Sequence, residues 1–175
     1  GMGQSPSYGV VRGMVQNIDK AVVAIQKAVQ EAEDNANVNI KSVNVGIAGQ
    51  HIKSSQKFGS ITRPKAGETI TPEEIEKMTK DMYFLVTEPG NDIIHAMPQH
   101  YTIDGIEGIT DPIGCEGARI EGAYHVITAH TGALNKIYKS IKRAGLEVND
   151  LILEPLASTL AVLDDEEKDR LFYYL

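Results

Sequence analysis

Residues 93–130 read IIHAMPQHYTIDGIEGITDPIGCEGARIEGAYHVITAH. Both ends carry the Ile, Tyr, Val and Thr of strands, while Gly105, Gly108, Pro112, Gly114 and Gly117 punctuate the middle. Alternation over 119–130 places Ile120, Gly122, Tyr124, Val126 and Thr128 on one face of a strand. Glu121, Ala123, His125 and Ile127 fall on the other. Pro98 has no N–H to give a ladder, so the first run is predicted as an edge strand or a bulged one. A two-stranded ribbon with a glycine-rich middle can hold a ligand, or it can build a surface for another protein.

Working outward, TPEEIEKMTKDMYFLV (71–86) predicts a helix over 72–87. Thr71 caps, Pro72 fits the first position, Glu74 completes a capping box, and Ile75, Met78, Met82 and Leu85 or Val86 point inward. Upstream, SVNVGIAG (42–49) and HIKSSQKFGSIT (51–62) read as strands. Before them Ala21, Val22, Ile25, Ala28, Val29 and Ala32 repeat at helical steps behind an Asn17 cap. Downstream, TGALNKIYKSIKRAG (131–145) predicts a helix with Leu134, Ile137, Tyr138 and Ile141 inward and Gly145 as its stop. LEVNDLILEPLAST then gives a strand and a short helix from about Pro155, followed by an acidic end. Mixed helices and strands without an internal repeat indicate an α+β or α/β chain.

With 175 residues the chain can bury one core or build two small lobes. A formal charge of −7 without a broad basic stripe argues against nucleic acid as a partner. The single cysteine, Cys115, excludes an internal disulfide and suits the cytoplasm. No run reaches the roughly 18 apolar residues of a membrane span. The opening GMGQ has no secretory pattern, and Gly1 before Met2 reads as a cloning scar.

Candidate chemistry is sparse. His95 and His100, like His125 and His130, are five residues apart, a spacing that points two rings to opposite faces of a regular strand, so no metal site is expected. DGIEGITD fails as a calcium loop, because Ile106 and Ile109 stand where a ligand and a glycine are needed. Cys115 has no assigned base and is expected to be structural. GIAGQH has the glycines of a phosphate turn but neither established nucleotide fingerprint. Lys136, Lys139, Lys142 and Arg143 form a solvated cationic helix face. No complete catalytic constellation emerges, and no enzyme activity is expected.

The strings GVVRGMVQNIDKA, VNVGIAGQHI, HAMPQHYTIDGIEGITDPIGCEGARIEGAYHVITA and AGLEVNDLILEPLAST, in this order, resemble the FtsA family of bacterial cell-division proteins. The resemblance implies an actin-like (ribonuclease H-like) fold: a partial subdomain 1A over residues 1–60 and 129–175, with the small sheet-plus-helix subdomain 1C inserted over 61–128. It implies ATP and magnesium for the whole parent protein. Neither of the family's two phosphate loops has a counterpart here, so no cofactor is expected for this chain. It also implies self-association with FtsA and recruitment of later division proteins such as FtsN, with FtsZ met through parts of the parent not represented here. The parent would work at the cytoplasmic side of the inner membrane, with no direct membrane contact from this segment. Arg63, Pro64 and Lys65 at the first sheet edge, with Arg119 and Glu121 on the last strand, are the expected partner contacts. An independent metal- or ligand-binding α+β protein is the alternative.

Overall fold

The computed structural model describes residues 1–64 and 67–164. In chain order the elements are β1 (Val10–Val11), β2 (Met14–Val15), α1 (Ile18–Ala36), β3 (Ser42–Ile47), β4 (Ile52–Thr62) and α2 (Pro72–Met82). These are followed by β5 (Asn91–Ile103), β6 (Ile106–Ile109), β7 (Arg119–His130), α3 (Thr131–Arg143), β8 (Glu147–Leu153) and α4 (Glu154–Val162). The chain divides into two compact units, one of residues 1–52 with 129–161, the other with 53–128 as its body.

In the first unit β3 and β8 pair in parallel, from Ser42 opposite Glu147 to Ile47 opposite Leu153. The short β1 and β2 pair antiparallel ahead of them. Helix α1 starts where Asn17 Oδ1 accepts from the Lys20 N–H at 3.0 Å, and it buries Ala21 and Val22. Helix α3 buries Leu134, Ile137 and Ile141. Tyr138, expected inward, is 45% exposed, because the buried stripe of α3 runs along Ile137 and Ile141 and leaves it on the rim. The N-cap of α3 is His130, whose Nδ1 accepts from the Gly132 N–H at 3.1 Å. Gly145, at φ +93°, ends the helix as its position predicts.

The second unit is a four-stranded sheet in the order β4-β7-β5-β6, with α2 on one face. Met78 and Met82 of α2 pack on Ile70, Ala96, Tyr101, Ile103, Ile120, Tyr124 and Val126, a continuous apolar cluster. Removing such surface from water is the main force holding helix to sheet. Tyr101 and Tyr124 meet edge to face at 6.4 Å. Gly122, on β7 beside Tyr124, leaves room for these side chains. A Cβ there would lie 2.8 Å from Met78 Cε and 3.2 Å from Tyr101 Cε1.

Helix α2 is shorter than its hydrophobic pattern suggests. It stops at Met82, and Tyr83, Phe84 and Leu85 donate to the carbonyls three residues back, a tightening typical of a helix end. Val86, a candidate core residue, is instead 96% exposed. The β5 irregularity expected at Pro98 is present. Ala96 and Tyr101 both enter the core although they are five residues apart, which an unbroken strand cannot achieve. β6 reaches only Tyr101 and Ile103 of β5, so Pro98 lies beyond its ladder.

Two side chains lock the loops of this unit. Asp104 (φ 47°) and Gly105 (φ 86°) make the tight turn between β5 and β6, the conformation that an Asp-Gly hairpin adopts. The Asp104 carboxylate then accepts from the Ala118 N–H at 2.9 Å and the Arg119 N–H at 2.8 Å, tying the hairpin to the start of β7. Arg63 is the second lock. Its Nε donates to Glu74 Oε1 at 2.8 Å, Nη1 to the carbonyls of Glu68 and Gly117, and Nη2 to the Thr69 carbonyl at 2.9 Å. Glu74 in turn accepts from the Thr71 N–H at 2.9 Å through its other oxygen, which starts α2.

Removing the guanidinium leaves the Glu74 carboxylate and three carbonyls without their donor. Arg63→Ala should therefore cost about 3 kcal/mol in urea unfolding, and Arg63→Lys should recover only part of this, since an ammonium cannot reproduce the fan of donors. A cost below about 1 kcal/mol, as for a surface ion pair, would contradict this role. The Ala118 N–H, and next the Arg119 N–H, hold the Asp104 carboxyl below the ordinary aspartate value. An acid depressed in the folded state adds stability above its unfolded pKa and loses it as pH falls through the folded one. The stability gap between the parent protein and Asp104→Asn should be widest near neutral pH and narrow in acid.

Candidate protein-docking surface

The sheet of the second unit has an edge and a face that α2 leaves uncovered. At one end of β4 the His130 N–H donates to the His51 carbonyl at 3.1 Å, and at the other the Arg63 N–H donates to the Ala118 carbonyl at 2.7 Å. These bonds belong to one antiparallel register without a net bulge, so odd-numbered residues of β4 turn their N–H and C=O toward β7. Ser54, Gln56, Phe58 and Ser60 turn theirs away. Side chains alternate with the same period. Gly59 faces Met82 on the helix side, so Gln56 and Phe58 face outward with Arg119 and Glu121 of β7.

The exposed part of this outer face is polar with one aromatic on it, while Ala123 and Ile127 of β7, which share the face, are buried. Gln56 Nε2 donates to Gln99 Oε1 of β5 at 3.2 Å, and Arg119 Nη2 donates to Glu121 Oε1 at 2.7 Å. The Arg119 and Glu121 side chains are 61% and 41% exposed, and Phe58 is 70% exposed. An exposed ion pair of this kind adds little to stability and remains free to exchange partners.

The expected contact residues therefore separate. Arg119 and Glu121 come together on the outer face, but β7 is an interior strand, so they mark a face and not an edge. Pro64 is exposed just beyond β4. Lys65 lies outside the described residues. The Arg63 side chain is 7% exposed and committed to internal bonds, which removes it from the contact surface. Phe58 was missed; its signal was one aromatic in an otherwise polar strand, IKSSQKFGSIT.

Competing sites are weaker. The β5 irregularity puts His95 and His100 on one side of the strand, against the expectation from their spacing, yet among the described residues no group of three or more His, Cys, Asp or Glu could hold a metal ion. Cys115 sits against the core, in a loop stitched to Ile70 by the Ile70 N–H to Cys115 carbonyl bond at 2.8 Å. In the first unit a cavity of about 340 Å³ is bounded by α1, α3 and the end of β3 at Gly46, Ile47 and Ala48. Its walls are mainly apolar, with Val15, Ile25, Val45 and Ile47, and its charged group is Glu154, which would repel a phosphate. No described helix is long and apolar enough to cross a membrane.

Comparison with known proteins agrees with this architecture. Residues 49–128 match the family model of the SHS2 domain inserted in FtsA. The cell division protein FtsA of Pseudomonas aeruginosa is 38% identical over 97% of this chain and 40% of its own length. That of Neisseria meningitidis is 40% identical and that of Escherichia coli K12 33% identical, again over 97% of this chain. The chain thus spans about 40% of the length of these relatives. A chain of the PilM-PilN type IV pilus biogenesis complex superposes with a TM-score of 0.55 at 15% identity, covering 89% of this chain and 40% of that one. At that identity the likeness speaks to fold alone. The chain is thus similar to the cell division protein FtsA along almost its whole length, and its residues 49–128 match the SHS2 domain inserted in FtsA.

Proposed function

We propose that this chain is a protein-interaction module of the division machinery. It serves self-association and the recruitment of later division proteins, the cytoplasmic end of FtsN among them, at the cytoplasmic face of the membrane where the septum forms. The observation that carries this reading is the outer sheet face, where the Arg119–Glu121 pair and Phe58 stand exposed on a rigid scaffold while α2 covers the opposite side. A charged pair beside an aromatic suits the core and rim of a protein interface. Arg63 acts here by position, holding the end of β4 and the start of α2.

Nucleotide chemistry is not part of the proposal. The end of β3 at Gly46, Ile47 and Ala48 borders an apolar cavity with a carboxylate, and no residue pattern of a triphosphate cradle accompanies it. FtsZ binding is likewise assigned to parts of the parent outside this chain.

Fluorescence polarisation with a labelled FtsN cytoplasmic peptide tests the proposal. Arg119→Glu sets two carboxylates side by side, and binding should weaken about tenfold or more while far-UV circular dichroism stays unchanged. Unchanged affinity in a folded Arg119→Glu protein would reject the face. Calorimetric titration with ATP and magnesium should give no binding heat, and micromolar magnesium-dependent binding would reject the non-nucleotide reading.

A further inference from the structure

β4 is a long edge strand that lacks two of the usual protections, a proline and a bulge. Among the described residues no strand pairs on its outer side, it contains no proline, and its register with β7 shows no net bulge. Its lysines, Lys53 and Lys57, lie on the helix side. Lys53 is already paired with Glu88 at 2.8 Å. The outward backbone groups belong to Ser54, Gln56, Phe58 and Ser60, a ready half of an antiparallel ladder.

We propose that the occupant of this edge is β4 of a second copy of the chain, paired about a two-fold axis at Phe58. This deepens the self-association part of the proposed function and rests on it. A two-fold axis normal to the sheet requires residues of like parity to stand opposite one another, because side chains opposite each other share a face. Centring on Ser55 sets Lys53 opposite Lys57, and centring on Lys57 sets that lysine opposite itself, both like-charge contacts. Centring on Gly59 opposes two residues without side chains. Centring on Gln56 leaves Phe58 opposite Ser54.

Centring on Phe58 pairs the two exposed rings, sets Lys57 opposite Gly59, and joins Gln56 to Ser60 and Ser54 to Thr62. All the outward groups then meet partners in hydrogen-bonded positions. Lys53 falls opposite Arg63, whose charge is answered by Glu74 at 2.8 Å. Of the registers centred from Ser55 to Gly59, this one joins the two aromatic rings and sets Lys57 opposite a glycine.

The test uses the full chain in sedimentation velocity across a concentration series, with cysteine crosslinking in a Cys115→Ser background. A reversible dimer is expected. Ser60→Pro removes an outward N–H that the lone chain does not use, so the fold should survive while dimerisation weakens about tenfold or more, the change applying twice per interface. Directly opposed residues stand about 5.5 Å apart at Cα, within disulfide range. Phe58→Cys should therefore crosslink readily under mild oxidant, and Gln56→Cys or Ser60→Cys much more slowly.

A chain that is monomeric at every concentration, a dimer indifferent to Ser60→Pro, or fastest crosslinking at 56 or 60 would overturn the proposal. Dimer loss in Arg119→Glu with no effect of Ser60→Pro would place self-association on the outer face. The interaction reading would then stand and the edge pairing would fall.

Discussion

The Arg63 guanidinium organises the second unit. One planar cation gathers a carboxylate and three backbone carbonyls from separate stretches of chain: the 68–69 segment, the first turn of α2, and the loop before β7. The Glu74 carboxyl is held below its usual value, first by the Thr71 N–H and then by Arg63. The start of a helix and the end of a strand thus depend on one ionised pair. A lysine could supply the charge but not the geometry, because only the guanidinium presents donors in several fixed directions.

From that anchor the division of labour across the sheet follows. The side facing α2 is closed by methionines and tyrosines around Gly122, and burial pushes the Tyr101 phenol upward in pKa, as expected for a hydroxyl removed from water. The other side keeps Arg119, Glu121 and one aromatic, Phe58, in solvent beside the buried Ala123 and Ile127. Closure of one face gives the module its rigidity, and openness of the other face and of β4 gives it something to offer. The Asp104 carboxylate does for the hairpin what Arg63 does for the helix, bonding backbone donors that would otherwise be left at a loop junction.

Much of this was legible in the residues. The helix starts at Asn17 and Thr71, the β7 alternation, the stop at Gly145 and the disturbance at Pro98 rest on local rules, and the structure follows them. What was not legible depends on distant partners. Arg63 reads as an exposed charge at a strand end, and only the fold brings Glu74 and Gly117 to it. β7 follows the other strands of its sheet in sequence yet lies inside the sheet, between β4 and β5, a placement that local pattern does not encode. Helix α2 ends before its apolar periodicity does, since that pattern runs on through Leu85 and Val86 while the backbone tightens after Met82.

The central claim is that β4 presents a free ladder edge on a sheet locked from its other side. Residue-resolved amide hydrogen exchange by NMR on dilute protein tests it most directly. Slow exchange is predicted at Ser55, Lys57, Gly59 and Ile61, whose N–H groups face β7, and fast exchange at Ser54, Gln56, Phe58 and Ser60. Equal protection of both sets in dilute monomer would mean that the outer side of β4 is already occupied, and would contradict the account.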